Sequence, residues 1–313
     1  MAAWKILITD GLEENGLALM RDAAEVVDRN GISADELLNE IGEYDALIVR
    51  GRTKVTAAVF KAGSKLKVVG RAGVGVDNID LKAAKECGVM VVNSPYATTV
   101  AVAELAMSLM LSMARETPRA DSAMKAGKWL KKDLEGVELY RKTLGIIGFG
   151  RIGSTVARRA EAFEMNTCCT DPKVTPDSQT LYGCTSMPMD ELLAKADFIT
   201  IHVPLTPETK GMIGREQFAK MKDGVRIIDV SRGGVVDQDA LLEALESGKV
   251  AAAGLDVFPT EPPGLTPLVA HPRVICSPHI GAQTVEAQQR AAYDIASEIL
   301  RALGGKEMRW RVA

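Results

Sequence analysis

The chain has 313 residues, more than one hydrophobic core usually supports, so its length indicates two domains. Hydrophobic residues make up 47% and charged residues 25%, a balance typical of soluble globular proteins and not of disordered ones. The net charge of -3 argues against general nucleic-acid binding through a basic surface, although local basic pockets remain compatible with it.

The N-terminal part of the chain alternates short apolar runs with helical patterns, which is typical of βαβ units around a parallel sheet. One predicted helix opens with Ser33 and has Glu36 at capping-box spacing. The apolar runs predict five strands in this part: Lys5–Thr9, Glu25–Asp28, Ala46–Arg50, Lys67–Gly70 and Val89–Asn93. The pattern therefore predicts a small doubly wound domain.

A long helical stretch follows, from about Thr99 to Met124, and its first half is apolar on nearly all sides. Such a helix needs burial on several faces, between domains or against a second subunit. A second α/β series predicts six more strands: Leu144–Gly148, Thr167–Thr170, Phe198–Val203, Arg226–Val230, Ala252–Val257 and Val274–Ser277. A last helix, from about Ala282 to Leu303, is expected to return to the first domain.

A GxGxxG pattern (GFGRIG) at 148–153 follows the first strand of the second series and opens a helix. Gly148 permits a tight turn, Gly150 lets the backbone approach a pyrophosphate, and Gly153 allows close packing of helix and strand. Asp171 ends the next strand, where a carboxylate can accept hydrogen bonds from a ribose and repel a 2′-phosphate. The pattern favours NAD. A plain glycine turn, with Asp171 as a strand-end cap, is the structural alternative.

Three polar residues with complementary chemistry each follow a predicted strand of the second series: Arg232, Glu261 and His279. The carboxyl ends of parallel strands face the ligand crevice, so these side chains can converge there. His279 can exchange a proton with a substrate hydroxyl, and Glu261 can fix the tautomer of the imidazole. Arg232 presents a planar fork that suits a carboxylate. Each of them taken alone could equally be an ordinary polar loop residue.

Five stretches in this order resemble the D-isomer-specific 2-hydroxyacid dehydrogenases, and within that family the phosphoglycerate dehydrogenases. They are VGRAGVGVDN at 69–78, GFGRIG at 148–153, SRGGVVD at 231–237, LDVFPTEPP at 255–263 and PHIGA at 278–282. The resemblance covers nearly the whole chain. It implies Arg232, Glu261 and His279 as the catalytic trio and places Asp171 on the adenosine ribose.

The resemblance implies an α/β fold of two doubly wound parallel-sheet domains. A flavodoxin-like substrate-binding domain would span 1–97 and 284–313, and a Rossmann NAD-binding domain would span 98–283. It also implies cofactor contacts from Gly148, Gly150, Arg151, Ile152, Gly153, Asp171, Val203, Pro204, Val230, Asp256, His279, Gly281 and Ala282. His202 is expected to be a packed strand-end residue near the cofactor, and His271 a structural residue of a turn.

The choice of substrate depends on the first domain, because the fold and the trio are common to the family. Arg50 and Arg71 occupy strand-end positions, and in phosphoglycerate dehydrogenases the matching arginines hold the substrate phosphate. Arg52 is expected to add positive charge beside them. The implied substrate contacts are Arg50, Arg71, Val74, Gly75, Arg232 and His279. Solvated surface arginines are the alternative.

The resemblance, together with Arg50 and Arg71, implies NAD-dependent oxidation of 3-phosphoglycerate to 3-phosphohydroxypyruvate, the first step of L-serine biosynthesis. A glyoxylate or hydroxypyruvate reductase, or another D-2-hydroxyacid dehydrogenase, needs no phosphate pocket and is the enzymatic alternative. An NAD-sensing binding protein, like the transcriptional corepressors built on this fold, is the non-enzymatic one. The chain ends at Ala313, so the serine-sensing regulatory domain of longer relatives is not expected.

The five cysteines are odd in number and lack CxxC spacing, which predicts reduced thiols in the cytoplasm and no metal site. The N-terminus shows no signal-peptide pattern, and no segment has membrane-spanning length. The expected partners are a small 2-hydroxy acid and a second copy of the chain, in a homodimer or homotetramer, with neither nucleic acid nor membrane.

Overall fold

The computed structural model describes residues 4–174 and 183–313. The chain divides into two units: unit 1 comprises Met1–Thr99 and Ala282–Ala313, and unit 2 comprises Val100–Gly281. Each unit is built around its own parallel β-sheet, as the sequence predicts. None of the helices in the described ranges is both long and apolar enough to cross a membrane.

Unit 1 has a five-stranded parallel sheet formed by its short apolar runs. The strands are β1 (Trp4–Ile8), β2 (Ala24–Asp28), β3 (Ala46–Val49), β4 (Val68–Arg71) and β5 (Met90–Asn93), in the order β2-β1-β3-β4-β5. The helices are α1 (Glu14–Arg21), α2 (Ala34–Glu40), a 3-10 turn (Ile41–Glu43), α3 (Ala57–Ala62), α4 (Leu81–Glu86) and, late in the chain, α11 (Val285–Leu303). This strand order is the flavodoxin-like one, with its switch point between β1 and β3.

Helix α11 covers one face of this sheet. Its buried Ile295 and Ile299 lie against β4, where a Cβ on Gly70 would be only 2.7 Å from the Ile295 side chain. The same helix contacts α1 through Gly16, whose absent side chain lets the two backbones approach closely. Helix α11 therefore returns to the first unit, as predicted. It begins at Val285 instead of Ala282, because the Thr284 side chain caps its N-terminus.

The last four residues of the chain lie antiparallel along β5. Val91 donates to the carbonyl of Ala313 and accepts from Val312, and Asn93 donates to Trp310. The carboxylate of Glu298 is fully buried, and it accepts hydrogen bonds from the backbone N–H groups of Arg309 and Trp310. A buried side chain of α11 thus fixes the turn that leads this segment to the sheet.

Unit 2 has a seven-stranded parallel sheet in the order β12-β11-β10-β9-β6-β7-β8. The strands are β6 (Thr143–Ile147), β7 (Asn166–Thr170), β8 (Thr185–Ser186), β9 (Phe198–Ile201), β10 (Val225–Asp229), β11 (Val250–Leu255) and β12 (Val274–Cys276). The helices are α5 (Thr99–Arg115), α6 (Thr117–Lys125), α7 (Arg151–Ala162), α8 (Met189–Lys195), α9 (Arg215–Lys220) and α10 (Gln238–Glu246). This is a Rossmann order with a switch point between β6 and β9, and the short strand β8 was not predicted.

The predicted single helix from Thr99 to Met124 is wrong, because the structure has two helices there. Helix α5 ends at Arg115, Glu116 adopts a left-handed conformation with φ of 49°, and α6 begins at Thr117. The cause is Pro118, which has no N–H to donate to the carbonyl of Ala114 in a continuous helix. That carbonyl instead accepts a hydrogen bond from Val137.

Candidate active site and cofactor site

The glycine loop lies at the switch point of the unit 2 sheet. Gly148 has a φ of 90°, and a Cβ there would be 2.7 Å from the backbone oxygen of His202, which follows β9. A Cβ on Gly153 would be 2.2 Å from the carbonyl oxygen of Gly148. Both positions therefore require glycine, for the turn itself and for the close approach of α7 to it.

The N-terminus of α7 is suited to a phosphate group. Gly150 occupies the cap position, and among the described residues no side chain caps this end of the helix. A Cβ on Gly150 would meet no described atom within 4 Å, so the backbone is open to a ligand. The first-turn N–H groups and the positive end of the helix dipole match the pyrophosphate of a dinucleotide, so the residues present fit NAD.

Asp171, directly after β7, binds the glycine loop. Its Oδ2 accepts a hydrogen bond from the backbone N–H of Phe149 at 2.8 Å, and its Oδ1 accepts from that of Lys173 at 2.8 Å. A carboxylate oxygen has more than one lone pair, so these bonds leave acceptor capacity for ribose hydroxyls. The carboxylate therefore acts as the strand-end cap, and this role is compatible with the predicted contact to ribose.

His202 is a packed residue at the end of β9. Its Nε2 lies 2.9 Å from the Oγ1 of Thr200, and burial lowers the pKa of the imidazole to about 3, so the ring is neutral. Val203 and Pro204, predicted as cofactor contacts, come next in the same loop. His271 accepts a hydrogen bond from the backbone of Arg273 in the turn before β12.

His279 and Glu261 form a direct pair. The Nδ1 of His279 lies 2.8 Å from the Oε2 of Glu261, and both side chains remain substantially exposed. The other carboxylate oxygen of Glu261 accepts a hydrogen bond from the backbone N–H of Phe258 at 3.1 Å. With Nδ1 engaged, Nε2 is the imidazole nitrogen that remains for exchange of a proton with a substrate.

Asp256, directly after β11, holds the loop that carries His279. Its side chain is buried, and it accepts hydrogen bonds from the hydroxyl of Ser277 at 2.5 Å and from the N–H groups of Ile280 at 2.9 Å and Gly281 at 2.8 Å. His279 adopts a φ of 53° between these anchors. Since few non-glycine residues take this conformation, the clamp by Asp256 fixes an unfavourable backbone geometry at the histidine.

Arg232 lies in the loop after β10, two residues beyond Val230. Its Nη1 donates to the carbonyl of Ser231 at 2.8 Å. A Cβ on the neighbouring Gly233 would be 2.0 Å from the backbone oxygen of Phe258, so only glycine lets the two loops approach this closely. The backbone N–H of Phe258 in turn donates a hydrogen bond to the carboxylate of Glu261. The structure thus brings Glu261 and His279 into contact and joins the Arg232 loop to them through backbone packing.

Asp229 is a buried carboxylate at the end of β10 that sequence reasoning missed. Its Oδ1 accepts hydrogen bonds from the N–H of Ser231 at 2.9 Å and from the hydroxyl of the same residue at 2.6 Å. Burial raises the pKa of Asp229 to about 6; the hydrogen bonds from Ser231 and the charge of Arg232 oppose this increase, and the charge of Asp256 adds to it. Arg232 was selected because it follows a predicted strand, at the edge of the sheet where ligands bind. The same criterion could also have selected Asp229.

Unit 1 places Arg50 and Arg71 at the carboxyl ends of neighbouring strands. Arg71 pairs with Val49 across β4 and β3, and Arg50 is the next residue after Val49. Both side chains are half-buried. A Cβ on Gly73 would be 1.5 Å from the Nη1 of Arg71, so the guanidinium occupies space that only glycine leaves open. Val74 and Gly75 continue this loop.

Two further side chains fix the loops that carry these arginines. Asn93, at the end of β5, donates to the carbonyl of Val74 at 2.6 Å. Asp10, buried after β1, accepts hydrogen bonds from the N–H of Arg50 at 2.8 Å and from both the N–H and the hydroxyl of Thr53. Neither Asp10 nor Asn93 was identified from the sequence, because their roles depend on which strands are neighbours.

The expectation that Arg52 adds charge to the phosphate site is wrong. Its guanidinium lies 3.0 Å from the carboxylate of Asp10 and donates to the backbone carbonyls of Thr9 and Ile32. These contacts neutralise the charge of Arg52 and use its donors within the scaffold. Arg50, two residues earlier, uses its backbone N–H instead to bind Asp10.

Comparison with known proteins agrees with this architecture. Residues 107–281 match the family model of the D-isomer specific 2-hydroxyacid dehydrogenase, NAD binding domain. A D-3-phosphoglycerate dehydrogenase of Methanocaldococcus jannaschii is 48% identical over 96% of this chain. The match covers 58% of that relative, so the chain spans little more than half the length of such curated relatives.

Two solved structures cover the chain along its full length. The TT0316 protein of Thermus thermophilus has a TM-score of 0.92 and 35% identity, with 99% of this chain and 100% of that chain aligned. A glyoxylate reductase from Paecilomyes thermophila has a TM-score of 0.90 and 32% identity, with 100% and 99% aligned. With the glycine loop, the strand order and the family model in agreement, the chain belongs to the D-isomer specific 2-hydroxyacid dehydrogenase family and carries its NAD-binding domain.

Proposed function

We propose that this chain catalyses the NAD-dependent oxidation of 3-phosphoglycerate to 3-phosphohydroxypyruvate, the first step of L-serine biosynthesis. The observation that carries this choice is the placement of Arg50 and Arg71 at the ends of neighbouring strands in unit 1. Two guanidinium groups there supply the donors and charge that a phosphate ester requires. The name of the relative from Methanocaldococcus jannaschii points to the same substrate.

His279 acts as the general base in this reaction. Glu261 binds Nδ1 and holds the imidazole with Nε2 available, so Nε2 takes the proton of the substrate 2-hydroxyl. As the positive charge develops on the ring, the carboxylate of Glu261 stabilises it. NAD, when bound, supplies the acceptor for the hydride that leaves C2. The products are the 2-keto acid, the reduced cofactor and one proton.

Arg232 binds the substrate carboxylate and polarises the neighbouring oxygen. Its planar fork can make two parallel hydrogen bonds to a carboxylate, which sets the orientation of C2. The close packing of Gly233 on Phe258 keeps the Arg232 loop in a constant position relative to the Glu261 loop. Unit 1 acts as the substrate-binding domain in this proposal, and unit 2 holds NAD through the α7 N-terminus and Asp171.

The proposed assembly is a homodimer or homotetramer in the cytoplasm. Helix α5 supports it, because Val100 and Leu111 are exposed apolar residues on a helix whose other faces are buried. The cysteines in the described ranges form no disulfide, which is usual in a reducing compartment. Light scattering of the purified chain tests the oligomeric state.

The test of substrate class compares 3-phosphoglycerate with D-glycerate in NADH formation at alkaline pH. We expect turnover with the phosphorylated acid and little with the other. Arg50→Ala and Arg71→Ala should each raise KM for 3-phosphoglycerate by about tenfold to a hundredfold, the loss of a charged hydrogen bond. KM for D-glycerate should change little. Lys54→Ala, an exposed cation of the same region, is the matched control.

A glyoxylate or hydroxypyruvate reductase is the second candidate, favoured by the glyoxylate reductase structure that aligns along the whole chain. That activity needs Arg232 and His279 but no phosphate contact. Efficient NADH-dependent reduction of glyoxylate, unaffected by Arg50→Ala and Arg71→Ala, would establish it and exclude the phosphate site.

A further inference from the structure

Two buried carboxylates lie side by side at the carboxyl ends of β10 and β11. Asp229 is the last residue of β10 and Asp256 directly follows β11, and the backbone N–H of Asp256 donates to the carbonyl of Asp229 at 2.9 Å. The two residues are 3% and 1% exposed. Negative charge is therefore concentrated at the strand ends where a Rossmann domain binds the nicotinamide half of its cofactor.

The two carboxylates differ in what they bind. Asp256 uses both oxygens to hold Ser277, Ile280 and Gly281, so its charge is stabilised by three hydrogen bonds. Asp229 accepts hydrogen bonds through Oδ1 from both the N–H and the hydroxyl of a single residue, Ser231. Asp229 is therefore the carboxylate of this edge with fewer hydrogen bonds to its oxygens.

The charged groups that act on Asp229 are Asp256 from the neighbouring strand end and Arg232 from the following loop. His202, after the other neighbouring strand, is neutral because burial lowers its pKa to about 3. Ionisation of Asp229 therefore adds one negative charge to this edge of the sheet. Protonation removes that charge, and burial raises the pKa of Asp229 to about 6.

Oxidised NAD carries a positive charge on the nicotinamide ring, whereas the ring of NADH is neutral. We propose that ionised Asp229, together with Asp256, makes this site select the oxidised cofactor over the reduced one. Asp229 is thus a specificity-determining residue for the redox state of the cofactor and favours the oxidative direction. The inference rests on the proposed function only in assigning the nicotinamide to this edge of the sheet.

The test measures the Kd of NAD⁺ and of NADH by calorimetry, without substrate, for the wild type and Asp229→Asn at alkaline pH. The asparagine keeps an oxygen that can accept from Ser231 and removes the negative charge. We expect the Kd of NAD⁺ to rise by about fivefold to tenfold, as for one charge at intermediate dielectric, and that of NADH to change little. Asp239→Asn removes an exposed carboxylate from the same unit and should leave both values unchanged.

A pH series supplies a second, independent measurement. Affinity of the wild type for NAD⁺ should fall as the pH is lowered through about 6, with proton release on binding in that range, while NADH affinity stays level. The Asp229→Asn variant should show neither the fall nor the proton release. Every other ionisable group is common to both proteins, so the difference between them reports Asp229.

An equal loss of affinity for both cofactor forms in Asp229→Asn would overturn the proposal and make Asp229 a structural residue. Unchanged affinity for NAD⁺ in the variant would overturn it as well. Because binding is measured without substrate, an incorrect substrate assignment leaves these results unaltered, and the two failures remain distinguishable.

Discussion

The Nδ1 atom of His279 lies 2.8 Å from the Oε2 atom of Glu261, while the backbone of His279 is held in a left-handed conformation. The contact with Glu261 and the backbone conformation both constrain the orientation of the imidazole. In the proposed reaction His279 takes the proton itself, whereas Glu261 orients the imidazole and stabilises its charge. Removal of the two side chains should therefore lower the activity by different amounts.

We expect His279→Asn to lower kcat by about a hundredfold to ten-thousandfold, the usual effect of losing a general base. Glu261→Gln should lower kcat less, because the imidazole stays in place without a carboxylate to stabilise its charge. Steady-state kinetics with 3-phosphoglycerate and NAD provide the measurement. His271→Asn, in a turn of the same unit, is the control, and loss of activity in it would argue against a specific role of His279.

Gly73→Ala should impair substrate binding as strongly as removing Arg71. The new Cβ would lie 1.5 Å from the Nη1 of Arg71 at a φ of 147°, so the guanidinium must leave its position. We expect KM for the phosphorylated substrate to rise by about tenfold or more. Gly88→Ala also has a positive φ, but its Cβ would meet nothing described within 4 Å. An unchanged KM in Gly73→Ala would show that the observed position of Arg71 is not the one used in binding.

Asp229 should make the stability of unit 2 depend on pH. Its folded-state pKa is raised from 3.8 to about 6, so the folded form binds the proton more tightly than the unfolded form. The contribution of protonated Asp229 to the free energy of unfolding is complete below pH 3.8 and is lost as the pH rises through about 6. At neutral pH the loss is of the order of 3 kcal/mol, since each pKa unit corresponds to about 1.4 kcal/mol.

Thermal unfolding of the wild type and Asp229→Asn across this pH range measures the effect. The difference in Tm between them should increase in favour of the variant as the pH rises through about 6 and then level off. A difference that stays constant across the range would mean that Asp229 does not titrate there.

Asp10→Ala should destabilise unit 1 by about 2 to 4 kcal/mol, because it leaves three donors around Arg50 and Thr53 without their acceptor. It also removes the partner of the Arg52 guanidinium. Thermal unfolding gives the measurement, with Asp22→Ala at an exposed position as the control. If the Tm of Asp10→Ala equalled that of the control, the buried network would contribute little to stability.

The sequence predicts the two sheets and the strand-end positions well, because periodicity and glycine placement are local signals. The break at Glu116 was missed, since an apolar helical pattern outweighed the single signal of Pro118. Arg50 and Arg52 look alike in sequence, but only the fold shows that Arg52 binds Asp10 and the carbonyls of neighbouring loops. The burial of Asp229 likewise depends on both strands that flank β10.

The segment at 310–313 occupies the hydrogen-bonding edge of β5. An exposed edge strand offers unpaired N–H and C=O groups to any extended chain it meets, and is a common starting point for aggregation. Here Val91 and Asn93 already form hydrogen bonds through these groups to the backbone of residues 310–313. Another molecule could extend the sheet at this edge only by first displacing that segment, together with the buried contacts of Glu298 that anchor it. The same short segment therefore gives this side of the sheet protection against intermolecular strand pairing.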